Sequence, residues 1–422
     1  MTQQDKLHFD KYDLSNGHIL FVQQSNLPVT YVRILIPVGN AHSHAGNDGC
    51  DEGYFHFVEH MCFERSVTYP DKKAYREILS TAGSSFNAWT GPLVTDYNFE
   101  APAETFATSF SAFIDHIVAP EFNPDDIALQ QGIVKNERLQ RKYFPGEDEL
   151  THYAYTKWMN KQYYSREQLF GCDESIAAIT QAKLQIAHKN YFNQPIKIFV
   201  AGTFDIDTLI TQLGALPTTN KEQVLQPKFH VPYWENQSFH EFITSEIDTN
   251  IYHIGGISTH FSLEKMWAID FILHLLAHEE FGTLTNWIRH ENGWSYGLEY
   301  EMDFDSNRLI WTIKIPLSTS EVVSTIRAEL SARIANTITN EELIVATQKR
   351  LLLQTNFDLE TLTSRLDAAV MCMSYTGQVA TEADYRDWLQ NTVSASSLHD
   401  IYQELFSPVV IGEFLASPKA GE

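Results

Sequence analysis

The run His56-Phe57-Val58-Glu59-His60 constrains this chain more than any other stretch of it. Residues three and four apart are neighbours on a helix surface, so a helix here lets His56 and His60 grip one metal ion from successive turns, with Glu59 beside them. The order H-x-x-E-H reverses the commoner H-E-x-x-H. In both, the imidazoles hold zinc and the glutamate acts as general base for a zinc-bound water. With 17 histidines among 422 residues, chance alone yields this pattern in about a few sequences per hundred, so the motif needs corroboration.

A catalytic zinc takes three protein ligands and keeps a fourth place for water. Glu137 fits the third position. Its segment opens as a helix does: Asn123 as cap, Pro124 in the first turn, Asp125 and Asp126 near the positive end of the dipole. Counting back in fours gives Ile133 and Leu129, which places Glu137 on an apolar stripe facing inward, where a carboxylate needs a cation or hydrogen-bond donors. A structural salt bridge is the alternative.

These residues resemble a known family. Gly53-Tyr54-Phe55-His56-Phe57-Val58-Glu59-His60-Met61 is similar to the G-x-x-H-x-x-E-H-M segment of the pitrilysin and insulysin peptidases. The interval 137 − 60 = 77 is similar to that family's gap to its ligand glutamate. The resemblance implies one zinc per chain, held by His56, His60 and Glu137, with Glu59 as catalytic base. Ala82 to Thr90, followed by Thr95-Asp96-Tyr97, resembles the family's strand with an N-A-aromatic-T core. There the resemblance implies that Asn87, Ala88 and Trp89 pair with the substrate backbone, as an open strand edge can. An ordinary edge strand is the alternative.

Further on, Arg289-His290-Glu291-Asn292-Gly293-Trp294-Ser295-Tyr296 resembles a second-half family motif. Its arginine and tyrosine assist the scissile carbonyl, because an oxyanion needs donors beyond zinc. Arg289 could instead hold the substrate backbone, or the two could be a surface arginine and a core tyrosine. His278 to Leu284 is similar to the family's H-E-G-x-G-S-L stretch and is expected to line a substrate chamber. One position departs: where the family carries a second glutamate seven residues before its ligand glutamate, this chain has Gln130. An amide behind the ligands can hydrogen-bond but supplies no negative charge, which bears on metal affinity and on the basicity of bound water.

Length and composition suit two domains, since 422 residues exceed what one core usually serves and 43% are hydrophobic. Lys and Arg total 30 against 54 acidic residues, a formal charge of −24, which argues against nucleic acid as a partner. The surplus acid either lines a chamber that favours basic peptides or spreads over a solvated surface. The polar start Met1 to Lys6 and the lack of a bilayer-length apolar run give the expectation of a cytoplasmic protein without membrane contact. Cys50, Cys62, Cys172 and Cys372 are scattered, as reduced thiols would be. Cys62 turns away from the His56 and His60 face and reads as a small packed hydrophobe rather than a ligand.

Apolar runs give strands at Gly17–Val22, Tyr31–Ile36 and Ile196–Gly202 in the first half, and at Ile251–Ile254, Leu309–Ile315 and Val409–Phe414 in the second. Helices are expected at Asp205–Leu213 and over the long span Leu263–Trp287. The fold class is α+β: two related domains, each a mixed, largely antiparallel sheet packed with helices, at 1–215 and 239–422, with a linker at 216–238 rich in proline. The second half holds no second H-x-x-E-H.

Family members that enclose a peptide use four such domains, so the resemblance implies that this chain is half of a clamshell. It would form a homodimer, or a heterodimer with a related subunit, with Arg289 and Tyr296 of one subunit facing the zinc of the other. The expected activity is that of a zinc metalloendopeptidase cutting peptides or unfolded segments in an enclosed chamber. Two other readings stay open: a structural subunit without turnover, and a module that recruits peptides to a partner enzyme.

Overall fold

The computed structural model describes residues 8–43, 52–91, 93–143, 170–220, 224–225, 239–245, 249–259, 262–305, 308–358, 360–405 and 412–418. They form two compact units. The first holds the chain through residue 144, residues 163–230 and residues 361–374; the second holds the remainder. The expected linker at 216–238 lies largely outside the described residues, as do Cys50 and residues 409–411.

In the first unit, β1 (Asp10–Asp13), β2 (Ile19–Gln24), β3 (Val29–Ile36), β4 (Ser85–Thr90), β5 (Thr95–Pro102) and β6 (Lys197–Gly202) form one sheet in the order β1-β2-β6-β3-β5-β4. The runs ILFVQQ, VTYVRILI and KIFVAG are rich in β-branched and aromatic residues and become central strands. β6 inserts between β2 and β3, parallel to the first and antiparallel to the second. β4 pairs with β5 and is the sheet's edge.

Among the described residues before position 220, the helices of this unit are α1 (Tyr54–Met61), α2 (Lys72–Thr81), α3 (Phe106–Val118), α4 (Pro124–Tyr143), α5 (Asp173–Ala177), α6 (Gln181–Asn190) and α7 (Ile206–Leu213), and residues 361–374 add most of a further helix, Leu362–Thr376. The core joins Leu20, Val32 and Ile34 of the sheet to Phe57, Phe110 and Phe113 of the helices. Helix α1 touches α4, α6 and β4, so it is buried on nearly all sides despite having only eight residues. An isolated helix this short is marginal in water, and here packing supplies its stability.

In the second unit, β7 (Phe239–Ser245), β8 (Asn250–Thr259), β9 (Glu299–Asp305), β10 (Arg308–Leu317) and β11 (Gly412–Pro418) take the order β7-β11-β8-β10-β9. The last strand again inserts between the first two, parallel to β7 and antiparallel to β8. Strand for strand, β7, β11, β8, β10 and β9 repeat β2, β6, β3, β5 and β4, which makes the two domains related. The long helix expected over 263–287 is broken. Helix α8 (Leu263–Ala277) ends at His278, whose backbone turns to ψ 136, and a π-helical turn follows at Asn286–Glu291. Ser262 caps α8, its hydroxyl accepting from the Lys265 amide.

Candidate metal centre

Gly53 starts the site. It stands at the N-terminus of α1 with φ +85, and a Cβ there would lie 2.5 Å from the Phe170 carbonyl oxygen, so only glycine fits. One turn on, His56 and His60 sit four residues apart with ring centroids 4.6 Å apart, as their spacing predicts. The Phe170 ring stands edge-on to His56 at 5.0 Å. His56, Glu59 and His60 place one ligand atom each within 4.8 Å of one another.

Helix α4 brings the third candidate. Asn123 caps it by accepting from the Asp125 amide at 2.9 Å, with Asp125 and Asp126 in the first turn. Glu137 Oε2 lies 3.7 Å from His56 Nε2 and 3.5 Å from His60 Nε2. Two ligands of a tetrahedral ion, each about 2.1 Å from it, are about 3.4 Å apart, so Glu137 stands close to ligand spacing from each imidazole nitrogen. The expected apolar stripe is corrected, however. Leu129 and Ile133 are exposed, and the inward face of α4 runs through Ile127, Gln130 and Val134 to Glu137. Steps of three and four alternate along a 3.6-residue helix, and counting in fours alone drifted off the buried face.

Electrostatics favour a cation here. Burial raises the Glu59 carboxyl above its ordinary range, partly offset by the Thr90 hydroxyl that donates to its Oε2. Burial alone would lower His60, but Glu137 at its Nε2, the charge of Glu59 and the Gln130 hydrogen bond raise it overall. Two carboxylates and two imidazoles in a partly buried pocket therefore attract positive charge. Gln130 sits behind the ligands as expected, its Oε1 3.0 Å from His60 Nδ1. That bond puts the ring proton on Nδ1 and leaves the Nε2 lone pair on the side of Glu137, as a metal-ligating imidazole requires. The donor set thus fits zinc.

Thr90 is a site residue that sequence reasoning missed. It closes the N-A-W-T run on β4, buried beside Glu59, while Asn87 and Trp89 on the same strand are exposed and Ala88 is half-buried. Alternation along the strand produces this split, with Ala88 and Thr90 on the inner face and Asn87 and Trp89 on the outer one. Cys62 is fully buried with its thiol pushed up to about 12 by burial, in keeping with a packed hydrophobe.

Arg289 and Tyr296 belong to the second unit. The Arg289 guanidinium lies 4.8 Å from the Tyr296 ring centroid and 3.6 Å from a Glu280 carboxylate oxygen, and Tyr296 is 82% exposed. Tyr296 lines a cleft of 530 Å³ with His274, His278 and Tyr300. The two residues are thus together, with the phenol open to solvent rather than packed in a core.

Fold and site together define a two-domain α+β protein with a buried H-x-x-E-H centre in its first domain. Residues 19–167 match the Insulinase (Peptidase family M16) family and residues 178–349 match the Peptidase M16 inactive domain. The chain belongs to the M16 peptidase family. It is 30% identical over 135 residues to an insulin-degrading enzyme of Drosophila melanogaster, a segment covering 32% of this chain and 13% of that protein. The match thus spans a small part of that longer relative. The chain is 22% identical over 298 residues to an uncharacterized zinc protease of Rickettsia felis, covering 69% of each. Among solved structures, an M16-like peptidase from Alicyclobacillus acidocaldarius superposes with a TM-score of 0.77 at 17% identity, covering 99% of this chain and 100% of that one.

Proposed function

We propose that the protein is a zinc-dependent endopeptidase. The observation that carries this is the convergence of His56, His60 and Glu137 at 3.5 to 3.7 Å, with Glu59 buried against them. Zinc, when bound, would act as a Lewis acid on a water and on the scissile carbonyl. Glu59 takes a proton from the attacking water and passes it to the leaving amine. Thr90 holds the Glu59 carboxylate in place. Glu137 and the two imidazoles hold the metal, and Gln130 orients His60.

The β4 edge, with Asn87, Ala88 and Trp89, receives the substrate as an added strand. Arg289 and Tyr296 stabilise the oxyanion from a second subunit in a homodimer or in a heterodimer with a related chain, around peptides or unfolded segments. The resemblance of the whole chain to M16 peptidases supports this arrangement. The test is Glu59→Gln, with metal content and cleavage of a mixed peptide library measured side by side with wild type. About one zinc per chain in both and cleavage in the wild type alone is the expected result. Cleavage by zinc-replete Glu59→Gln protein refutes the base assignment, and a wild type without zinc refutes the centre.

A further inference from the structure

Gln130 is held from behind as well as from the front. Its Nε2 donates to Glu64 Oε1 at 2.6 Å, and both side chains are buried. Glu64 also pairs with Lys72, which reaches Asp126 at 2.6 Å, and Asp126 in turn meets Arg65 at 2.8 Å. A carboxylate only accepts, so Glu64 must face the NH₂ of Gln130, and the amide cannot turn over. With the amide fixed, its oxygen faces His60, Nδ1 carries the proton, and Nε2 keeps its lone pair for a metal.

We infer that Glu64 is a positioning residue for the metal centre. Acting through Gln130, it fixes the His60 tautomer and supplies the negative charge that a glutamate at position 130 would supply directly. The inference rests on the zinc reading above. It explains the one departure from the family pattern, because charge is displaced by one side chain rather than lost. It also means that positions 64 and 130 exchange only as a pair. The single change Q130E would set two carboxylates at hydrogen-bond distance, whereas E64Q/Q130E keeps every bond. In that double variant the amide now at position 64 donates to the carboxylate now at position 130, the amide oxygen accepts from Lys72, and the carboxylate accepts from His60.

The test is zinc affinity, read by chelator competition on wild type, E64Q and E64Q/Q130E, with the melting temperature of each metal-free protein as a control for folding. E64Q is expected to bind zinc about 10- to 100-fold more weakly, and E64Q/Q130E to return to within about threefold of wild type. A purely structural Glu64 would move the melting temperature and would not be rescued in affinity by the exchange. Wild-type affinity in E64Q, or a loss that the double variant does not restore, overturns the inference and leaves the zinc reading standing. Should E64Q fail to fold, the double variant decides by itself, since it moves the charge and keeps the bonds: wild-type affinity supports the inference and weak binding overturns it. Zinc binding by wild type that is lost in His56→Ala shows that the centre exists independently of Glu64, and its absence from wild type overturns both.

Discussion

His253 is the most testable side chain outside the candidate metal centre. It lies on β8, opposite Lys314 of β10 and Phe414 of β11. It is 2% exposed, and neither ring nitrogen has a hydrogen-bond partner among the described residues. Burial, with the Lys314 charge adding to it, pushes its pKa down to about 3. In the folded state the ring therefore stays neutral, while in the unfolded chain it takes up a proton below about 6.5. The folded pKa lies below the unfolded one, and the group is a base, so its contribution is intact above pH 6.5 and is lost as the pH falls from there towards 3. Linkage between these two values gives a loss of about 2 kcal/mol at pH 5 and about 3.3 kcal/mol at pH 4.

A buried ring without partners also costs about 1–3 kcal/mol at any pH. His253→Leu removes both penalties. It should stabilise the second unit by about 1–3 kcal/mol at pH 7, and by about 2 kcal/mol more at pH 5. Urea unfolding followed by tryptophan fluorescence reads this, because among the described tryptophans Trp267, Trp287, Trp294, Trp311 and Trp388 lie in the second unit and Trp89 in the first. Equal stability of variant and wild type at pH 7, or a gap that fails to widen at pH 5, would refute the reasoning.

Two substitutions test the first unit. Thr90→Val keeps the shape and removes the hydroxyl that donates to Glu59. A hydrogen bond to a charged group is worth about 1.5–3 kcal/mol, so kcat/KM should fall about 10- to 100-fold with zinc content unchanged. Unchanged peptide cleavage would remove Thr90 from the site. Gly53→Ala forces a side chain into positive φ and against the Phe170 carbonyl. It should cost more than about 2 kcal/mol by calorimetry and weaken zinc binding, because α1 must shift to relieve the clash.

What the sequence disclosed was periodic or local. Strands β2, β3, β6, β8 and β10 could be read from their β-branched runs, and helix α1 from two histidines four apart. Helix α4 could be read from its cap and first turn, although its buried face could not. What it hid was long-range pairing between polar residues. Thr90 meets Glu59 across 31 positions and Gln130 meets Glu64 across 66, and no periodicity marks which polar side chains will be buried against each other. The break after α8 was hidden for another reason. Residues 263–277 and the turn at 286–291 both carry helical patterns, and the interruption depends on Gly282, where a Cβ would lie 2.5 Å from the Leu276 carbonyl oxygen.

The second domain shows what the fold alone does not provide. Its helix α8, between β8 and β9, lies where α1 and α2 lie between β3 and β4, and it leads into His274 and His278 at the same spacing of four, with ring centroids 4.4 Å apart. Yet His278 Nδ1 accepts from the Glu280 and Phe281 amides, so in the neutral ring the proton sits on Nε2 and no lone pair there is left for a metal. Burial, then repulsion from His278 when it is protonated and from Arg350, push His274 down to about 3. In the first domain the carboxylates of Glu59 and Glu137 do the opposite to His60 and raise it. His278, the counterpart of His60, is also lowered, by burial and then Arg350, so the net shift there has the opposite sign. The position before the second histidine, Glu59 in the first domain, is Ala277 in the second. Duplication preserved the sheet order, but the candidate metal centre draws on that carboxylate, on another brought across from α4, and on an amide that fixes the ring.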